Sequence, residues 1–485
     1  MSEDRVRLNR VLERADVIAL ALGTMVGWAW VMLVGVWVSE AGMAGAILAF
    51  GAGALLCILV GMAYAELTAA LPLAGGEMVY TYRSMGYAVS WVSGWTVTFA
   101  YLGVAAWEGI ALATAVDYIF EIPRIGYIAE VAGYPVYISW AVVGSVCAMI
   151  LTLLNYLGTK PAAIFQVMMT GGLIFVGLMF VLGGISFGDA VNAMPFFTSK
   201  TGFVVVMLMV PSMLIGFDII PQSVEEMNIP LRDVSKMLIF SIVLAALWYI
   251  AIIIGMSLAA PPEIRDAGIV PAADAMAYAY GHSLFGNILI FGGICGILTS
   301  WNGFIMGATR IVFAMGRARM LPAVFGKLHS KYKTPAAAIL LAGSICFMAP
   351  FLGRNALIWF VNVSAFSSVV VYLLVMMSFM LLRKREPELV RPYKIRAGYL
   401  VGAVTMSISC FFIVMRLPFN NSPFADGASV ASIFSHEVVL TSCWFLLGLG
   451  LAAYAKVAYR KVGAAQREIL VFGEEYARKE VLEKS

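Results

Sequence analysis

The sequence is poor in charged residues. Aspartate, glutamate, lysine and arginine make up only 12% of its 485 residues, about half the share in an average soluble domain. Hydrophobic residues make up 62%, against roughly 45–50% in such a domain. This composition excludes a soluble enzyme, a disordered chain and a nucleic-acid-binding protein, because each needs far more polar or basic surface. It predicts a membrane protein.

Cysteine and histidine are also scarce. The six cysteines all fall in apolar segments, without metal-binding or disulfide spacing, and are best explained as packing residues. The three histidines, His282, His329 and His436, lie in predicted loops and are too scattered to form a metal site. The net charge of +4 indicates no polyanionic partner. We therefore expect no metal, no cofactor and no nucleic acid.

Long apolar runs are abundant. A membrane-spanning helix needs about 20 consecutive apolar residues, whereas a membrane barrel shows short alternating strands. The runs here are long and uninterrupted, which predicts helices. We predict twelve spans, at 16–38, 43–71, 88–119, 136–157, 162–186, 202–224, 237–260, 284–315, 335–352, 356–382, 397–417 and 436–458.

Basic residues are unevenly distributed between the two sides of these spans. With the N-terminus inside, 26 of the 32 lysine and arginine residues lie on the cytoplasmic side, 5 lie outside, and Arg310 falls within span eight. This asymmetry predicts that both termini are cytoplasmic. The arginine-rich N-terminal segment has no small-residue cleavage site after a short apolar core, so we expect it to belong to the mature chain.

Span one contains an interruption. Residues 21–30 hold two glycines four positions apart and two tryptophans near mid-span. The glycines indicate either close packing of a neighbouring helix or a broken helix that lines a cavity, and the tryptophans favour the cavity. The predicted site residues in this span are Thr24, Met25, Gly27, Trp28, Ala29 and Trp30.

Span six shows the strongest interruption. Pro211 and Pro221 each remove a backbone donor, and Gly216 loosens the helix between them. Backbone groups freed at membrane depth are tolerated only where they line a cavity or are buried in protein. Because a carboxylate lies beside this break, we assign Gly216, Phe217 and Asp218 to the site.

Other polar groups lie within the apolar spans. Trp107 and Glu108 fall near the middle of span three, where the glutamate is either a protonated packing residue or a carboxylate that carries a proton or meets an amine. Asn302 is also assigned to the site. It belongs to a set of polar residues in spans eight and ten that either face the cavity or hydrogen-bond between helices: Ser300, Asn302, Asn362 and Ser364.

Several motifs, in their order and spacing, resemble the amino acid–polyamine–organocation family of permeases over essentially the whole chain. They are Thr24-Met25-Val26-Gly27, Tyr64-Ala65-Glu66-Leu67, Leu71-Pro72-Leu73-Ala74-Gly75-Gly76, Tyr80-Thr81-Tyr82, Gly216-Phe217-Asp218, Glu225-Glu226, Asn228-Ile229-Pro230, Arg310 with Phe313-Ala314-Met315, Leu321-Pro322, the segment from His329 to Pro335, and Arg391-Pro392-Tyr393-Lys394.

The resemblance implies a leucine-transporter-type fold, in which five plus five inverted helices are followed by two added helices. Spans one and six, both interrupted, are then the first members of the two repeats, and a binding site is expected between them. This implies a cytoplasmic segment at 1–15, a ten-helix transport core at 16–382, a basic loop at 383–396, two further spans at 397–458 and a cytoplasmic tail at 459–485. We expect the end of that tail to be a short solvated amphipathic helix without a role in transport.

The resemblance also implies a function. Amide groups freed on span one attract a carboxylate, and carbonyls freed on span six attract an ammonium group. The sequence differs from the family at Gly27-Trp28-Ala29, where a Gly-Ser-Gly-type opening is usual, and at Leu173, which we align with a lysine of several relatives. We therefore expect an amine-bearing substrate held by Asp218 in an aromatic cavity formed by Trp28, Trp30, Trp107 and Phe217.

The predicted function is that of a secondary active permease of the cell membrane for amino acids or related amines. Glu108 or Asp218 is expected to couple uptake to protons, since a buried carboxyl can load and release one. An exchanger and a non-transporting sensor on the same fold are the alternatives. An enzyme is not expected, because no nucleophile–base pair, metal cluster or phosphate loop stands out. Glu225, Glu226 and Arg232 are expected to form charge pairs at the cytoplasmic mouth, as either a gate or a solvated loop. Arg310 is expected to snorkel or to pair with one of the two acids.

Overall fold

The computed structural model describes residues 8–131, 133–265, 270–416 and 436–477. Predictions that fall on residues 1–7, 417–435 or 478–485 lie outside this description.

The described chain is almost entirely helical. Its N-terminal half contains α1 (Arg14–Met25), α2 (Ala29–Ala70), α3 (Gly76–Met85), α4 (Tyr87–Ile119), α5 (Ile138–Leu157), α6 (Thr159–Phe187), α7 (Lys200–Met213), α8 (Ile219–Ser223) and α9 (Leu231–Ala259). Its C-terminal half contains α10 (Pro262–Arg265), α11 (Pro271–Tyr280), α12 (Ser283–Arg317), α13 (Ala336–Met348), α14 (Ala356–Arg385), α15 (Gly398–Arg416), α16 (His436–Ala458) and α17 (Ala464–Tyr476).

Short elements complete the architecture. An antiparallel hairpin of β1 (Tyr127–Val131) and β2 (Tyr134–Tyr137) joins α4 to α5, with Tyr127 opposite Tyr137. The prediction of helices alone missed this hairpin. The described residues also form short 3₁₀ helices at Ala190–Ala193, Val224–Glu226, Ala323–Gly326 and Ala349–Leu352.

The predicted spans coincide with helices or pairs of helices. Among the described residues, 8 helices are long and apolar enough to cross a membrane. Shorter apolar helices occur at Lys200–Met213, Ala336–Leu352 and Gly398–Val414. The prediction of an all-α polytopic membrane protein is therefore confirmed, while the count of twelve spans, the five-plus-five repeat and the side on which the termini lie remain predictions.

Helix α2 contains the second half of predicted span one and nearly all of span two. The two parts meet at Gly42, whose φ of 74° and ψ of 167° are not helical. A Cβ atom at this position would lie 2.6 Å from the carbonyl oxygen of Phe196, and that oxygen accepts a hydrogen bond from the backbone N–H of Ala44 at 2.8 Å. Glycine is required here because it alone combines a positive φ with so close a backbone contact.

Helices α4 and α12 form the centre of the bundle. In the most apolar stretch of each, 78% of the residues are buried, against 11% in α16. Helix α12 packs along α4 and α6 and also contacts α1 and α8. Any site at the two predicted helix breaks therefore has α4 and α12 as its rigid walls.

The C-terminal helix α17 is docked on the bundle. The Phe472 side chain is fully buried, with its ring 5.7 Å from the ring of Tyr82 on α3. The Arg83 guanidinium lies 5.3 Å from the centroid of Phe472, donates to the carbonyl oxygen of Tyr476 at 2.9 Å, and pairs with Glu468 at 3.6 Å. The helix is amphipathic, as expected, but the expectation that it is simply solvated is wrong for this part of the tail.

Candidate functional site

Span one is broken at the predicted place. Helix α1 ends at Met25 and α2 begins at Ala29, and no side chain caps the N-terminus of α2. The first N–H groups of a helix have no partner within that helix. The break therefore presents backbone donors from α2 and backbone carbonyls from the end of α1.

Span six is broken beside it. Helix α7 ends at Met213 and α8 begins at Ile219, and between them Gly216 has a φ of 128°. A Cβ atom on Gly216 would lie 2.9 Å from Cγ2 of Thr24 and 3.1 Å from the backbone nitrogen of Met25. The two breaks are therefore in direct contact, and glycine makes this contact possible.

A tyrosine that the sequence analysis missed joins the two breaks. The hydroxyl of Tyr249, on α9, donates to the carbonyl oxygen of Met25 at 2.9 Å and to that of Met213 at 3.2 Å. These are the carbonyls that end α1 and α7. The sequence gives little signal for this role, because the hydroxyl of Tyr249 is a single polar group within a long apolar run.

A cavity of about 70 Å³ lies at the breaks. This volume holds only a few water molecules and is well below the range of about 300–1,000 Å³ that is usual for ligand pockets. Of the twelve predicted site residues, those that line it are Thr24, Met25, Gly27, Trp28, Ala29, Trp107 and Glu108. Further residues that line it are Tyr249, Ser212, Ser300, Phe304 and Ser364. Because the volume is so small, the described state is contracted around its site.

The other five predicted residues do not line this cavity. Trp30 packs against Phe180 and Trp248, while Phe217 packs against Tyr64 and Tyr372. Gly216 and Asp218 lie in the span-six turn, where Asp218 Oδ1 accepts from the Gly216 N–H at 3.0 Å and Oδ2 from the Tyr372 hydroxyl at 3.4 Å. Of the four aromatic residues predicted to form the cavity, only Trp28 and Trp107 line it, where Tyr249 and Phe304 join them, and Asn302 does not line it.

Asn302 belongs to a polar network that links four helices, α1, α5, α6 and α12. Its side chain accepts from Asn155 at 2.8 Å and donates to Gln166 Oε1 at 2.7 Å. Gln166 Nε2 donates to the carbonyl oxygens of Ala19 at 3.3 Å and Thr299 at 3.2 Å. Thr170 of α6 also donates to the carbonyl oxygen of Ala19, at 3.2 Å. Helix α6 therefore contacts α1 through neutral donors, while the aligned Leu173 is a buried apolar residue about two turns after Gln166.

Glu108 is the titratable group of the cavity. Its side chain is fully buried, and neither carboxyl oxygen has a hydrogen-bond partner of good geometry among the described residues. A Cβ atom at Gly27 would lie 3.4 Å from Glu108 Oε1 and 3.2 Å from Ser300 Oγ. A buried carboxyl without a cation is costly unless it carries a proton or receives one from a ligand. Glu108 can therefore meet a ligand at the span-one break.

A layer of buried ion pairs lies on the side of the bundle predicted to be cytoplasmic. Arg310 binds Glu226 through two hydrogen bonds of 2.8 and 2.9 Å, and Thr159 donates to the same carboxylate at 2.6 Å. Arg317 binds Glu225 at 3.0 and 3.1 Å. The Arg310 and Glu226 side chains are only 1% and 2% exposed. Of the two interpretations of these acids, a solvated loop is wrong, and Arg310 pairs as expected.

The N-terminal segment adds to this layer. The backbone N–H groups of Val11 and Leu12 donate to the carbonyl oxygen of Glu226 at 2.8 and 2.9 Å. Lys160, between the predicted spans four and five, donates to Asp16 at 2.9 Å, and this hydrogen bond raises the pKa of Lys160. The chain that precedes α1 is therefore tied to the turn that follows α8.

A larger hollow, of about 590 Å³, lies between α5 and α13. Its lining is mostly apolar, with residues such as Leu153, Leu340 and Phe347, and it opens on the outer surface of the bundle. It contains no acid or base apart from Tyr156. We therefore place the site in the smaller cavity, where the broken backbone and Glu108 meet. Over the part of the chain that the structure describes, no group of three or more His, Cys, Asp or Glu side chains is arranged to hold a metal ion.

Comparison with known proteins agrees with this geometry. The family model described as "Amino acid permease" matches residues 12–443. The branched-chain amino acid permease BcaP of Bacillus subtilis (strain 168) is 26% identical over 417 residues, which cover 84% of this chain and 88% of that protein. The methylthioribose transporter of the same organism is 24% identical over 85% of this chain and 89% of its own length. The aspartate-proton symporter of Bacillus subtilis (strain 168) is 25% identical over 82% of this chain and 78% of its own length. The chain is therefore a transporter and not an enzyme, and it belongs to the amino acid permease family.

Proposed function

We propose that this permease is a secondary active transporter that moves amino acids or related amines together with protons. Alternating access takes place around the cavity between the breaks of α1/α2 and α7/α8. The observation that carries the proposal is the direct contact of the two breaks beside a fully buried Glu108 that forms no ion pair with any described residue. Broken helices meeting at a buried cavity are typical of transporters with a midplane site.

The backbone at the cavity suits a zwitterion. The uncapped N-terminus of α2 attracts a carboxylate, and the carbonyls of Met25 and Met213 attract an ammonium group, which would take over the hydrogen bonds of Tyr249. Trp28 and Trp107 add ring surfaces for the rest of the substrate. Because the cavity of about 70 Å³ is smaller than an amino acid, the two breaks must move apart before a substrate can bind.

We assign proton coupling to Glu108 and Asp218. Glu108 lies in the cavity and is placed to exchange a proton as substrate enters. Asp218 lies outside the cavity lining, at the first residue before α8, so its proton would follow the movement of α8 rather than direct contact with the amine. The aspartate-proton symporter among the relatives is named for such coupling.

The remaining assignments follow from the same fold. We infer that residues 16–382 form the transport core, that 397–458 add two peripheral spans, and that the protein is in the cell membrane with both termini in the cytoplasm. The low burial of α16 supports a peripheral position for the added helices.

The first experiment is thermal stabilisation of the purified protein by amino acids, by their decarboxylated amines and by acids that lack the amine. A ligand that binds only the folded state raises its apparent stability with the logarithm of ligand concentration over Kd. Stabilisation by amino acids but not by amines shows that the α2 N-terminus binds a carboxylate. Equal stabilisation by amines shows that the carboxylate is not recognised, and no shift with any member of the panel contradicts the proposed substrate class.

Transport is then measured in proteoliposomes with the ligands that stabilise the protein. Accumulation driven by a pH gradient supports proton symport. Uptake that ignores the gradient but is stimulated by substrate on the far side indicates an exchanger instead. Binding without any flux indicates a sensor.

A further inference from the structure

A pair of buried acids, Glu77 and Asp218, lies outside the cavity lining, and the sequence analysis assigned only Asp218 to the site. Glu77, in the first turn of α3, is fully buried, and Asp218, before α8, is 1% exposed. Helices α3 and α8 are in contact. Glu77 follows Gly75 and Gly76, whose positive φ values of 104° and 36° bring the start of α3 against Gln222 of α8.

The hydrogen bonds of this pair are incomplete. Gln222 Nε2 donates to Glu77 Oε2, and Asp218 accepts from the Gly216 N–H and from Tyr372. Glu77 Oε1, Gln222 Oε1 and the hydroxyl of Tyr64 have no hydrogen-bond partner of good geometry among the described residues. These atoms are all buried, and a proton carried by Glu77 would supply one further hydrogen-bond donor among them.

Within the described part of the chain, no positively charged side chain pairs with Glu77 or Asp218. The ionisable groups that interact with Glu77 or Asp218, or with the tyrosines around them, are all acids: Tyr64 and Cys57 on α2, Tyr80 on α3, Tyr101 on α4, and Tyr372 on α14. Among the described residues, no lysine, arginine or histidine forms an ion pair with either carboxyl. The arginines of the neighbouring ion-pair layer, Arg310 and Arg317, are taken up by Glu226 and Glu225.

Two buried carboxyls without a cation cannot both be ionised at an acceptable cost, because each charge loses its hydration and the two repel. At least one proton or one cation must therefore accompany the pair. We propose that Glu77 and Asp218 form one proton-binding site, separate from the substrate cavity, and that Glu77 is a coupling residue of this transporter. The proposal rests on the proton coupling stated above and adds Glu77 to it.

The position of the pair explains how such a proton would be coupled to access. Asp218 and Gln222 lie on the span-six break and on α8, whereas Glu77 lies on α3. If α8 moves away from α3, Glu77 loses its contact with Gln222 and the two carboxyls separate, so each is ionised more easily and the proton is released to water. When α8 returns, the carboxyls approach again and one takes up a proton. The proton is bound and released as such, with no other bond formed or broken.

Infrared difference spectroscopy tests the shared proton without any substrate. Spectra of the purified full-length protein are recorded across a pH series, and the band of a protonated carboxyl is followed. We expect one such band to be lost in Glu77→Gln and equally in Asp218→Asn, and to persist in Glu108→Gln. A band that survives in either single variant overturns the pair. Replacement of choline chloride by sodium chloride should leave the band unchanged, and its loss would assign the site to sodium and overturn the proposal.

Transport tests the coupling role. Proteoliposomes are loaded with L-leucine, L-lysine or putrescine, and two fluxes are measured: accumulation driven by a pH gradient, and counterflow at equal pH. In Glu77→Gln we expect accumulation to fall at least tenfold while counterflow stays within twofold of the wild type. The conservative variant Glu77→Asp should retain both fluxes.

Each remaining outcome decides between the proposals. Wild-type accumulation in Glu77→Gln overturns the role of Glu77 and leaves the proposed function intact. Loss of both fluxes in Glu77→Gln supports the role if Glu77→Asp restores them, and shows a purely structural residue if it does not. Counterflow without gradient-driven accumulation in the wild type refutes proton symport itself.

Discussion

The Tyr249→Phe variant tests whether one hydroxyl holds the two helix breaks together. The change removes a single oxygen that donates to the carbonyls of Met25 and Met213. Both carbonyls end a broken helix, and both lie at a buried site. Loss of a buried hydrogen bond that leaves its acceptor unsatisfied costs about 1–3 kcal/mol, and interhelical hydrogen bonds in membrane proteins are worth up to about 1.7 kcal/mol. We therefore expect a loss of about 1–2 kcal/mol.

The measurement is thermal unfolding with and without substrate. If a substrate ammonium group uses the same two carbonyls, it replaces the lost donor in the variant, so substrate should raise Tm more in Tyr249→Phe than in the wild type. Tyr280→Phe is the matched control, because its hydroxyl donates at 2.9 Å to Met179 within the continuous helix α6. The control should be no more than about 1 kcal/mol less stable, with an unchanged response to substrate. An unchanged Tm in Tyr249→Phe, together with an equal substrate shift, would refute the reasoning.

Three further variants test other parts of the structure. Gly216→Ala forces a side chain into a positive φ and against Thr24, so it should cost at least about 1–3 kcal/mol and abolish uptake, as measured by Tm and by flux in proteoliposomes. Arg310→Ala leaves Glu226 buried without its cation and should lower the free energy of unfolding by about 3–5 kcal/mol, while Arg310→Lys should recover part of that loss. Phe472→Ala removes the buried anchor of α17, so trypsin should cut this helix faster while flux at saturating substrate persists; an unchanged digestion rate would contradict the docking.

The all-helical class could be predicted because membrane helices are dictated by local composition, whereas the count of twelve spans and the five-plus-five repeat stay predictions. An apolar run of sufficient length must satisfy its own backbone, so the predicted spans and the helices agree closely. The break in span six could be located because Pro211, Gly216 and Pro221 each weaken a helix for a known reason. The hairpin of β1 and β2 and the docking of Phe472 were missed, since both depend on contacts rather than on composition.

The site was predicted less well because side-chain direction is not readable from one sequence. Trp28, in the break, and Trp30, in the first turn of α2, are only two positions apart, and of the two only Trp28 lines the cavity. The sequence did not identify Tyr249 or Glu77 as site residues, since one is a tyrosine in an apolar span and the other a glutamate in the loop predicted between spans two and three. Their roles follow from what α7, α8 and the breaks bring next to them.

Several of the motifs that carried the family resemblance form buried ion pairs rather than lining the cavity. Glu66 accepts from Arg383 at 2.9 Å and from the backbone N–H of Ile395 at 2.8 Å, and it forms an ion pair with Arg391 at 3.2 Å. This contact joins the motif at the end of α2 to the motif before α15. These motifs therefore reflect contacts between helices on the predicted cytoplasmic side, and they carry little information about the substrate.

Closure on that side sets the energetic problem that transport must solve. The cavity is too small for an amino acid, and its predicted cytoplasmic side is sealed by Arg310 with Glu226 and by Arg317 with Glu225, all nearly inaccessible to water. Separation of such a pair exposes both charges to water, so rehydration offsets much of the lost attraction. Opening therefore costs far less than deletion of one partner. Both acids follow α8 directly, and Asp218 precedes it, so a movement of α8 would open the ion-pair layer and change the proton affinity of the Glu77–Asp218 pair in one step.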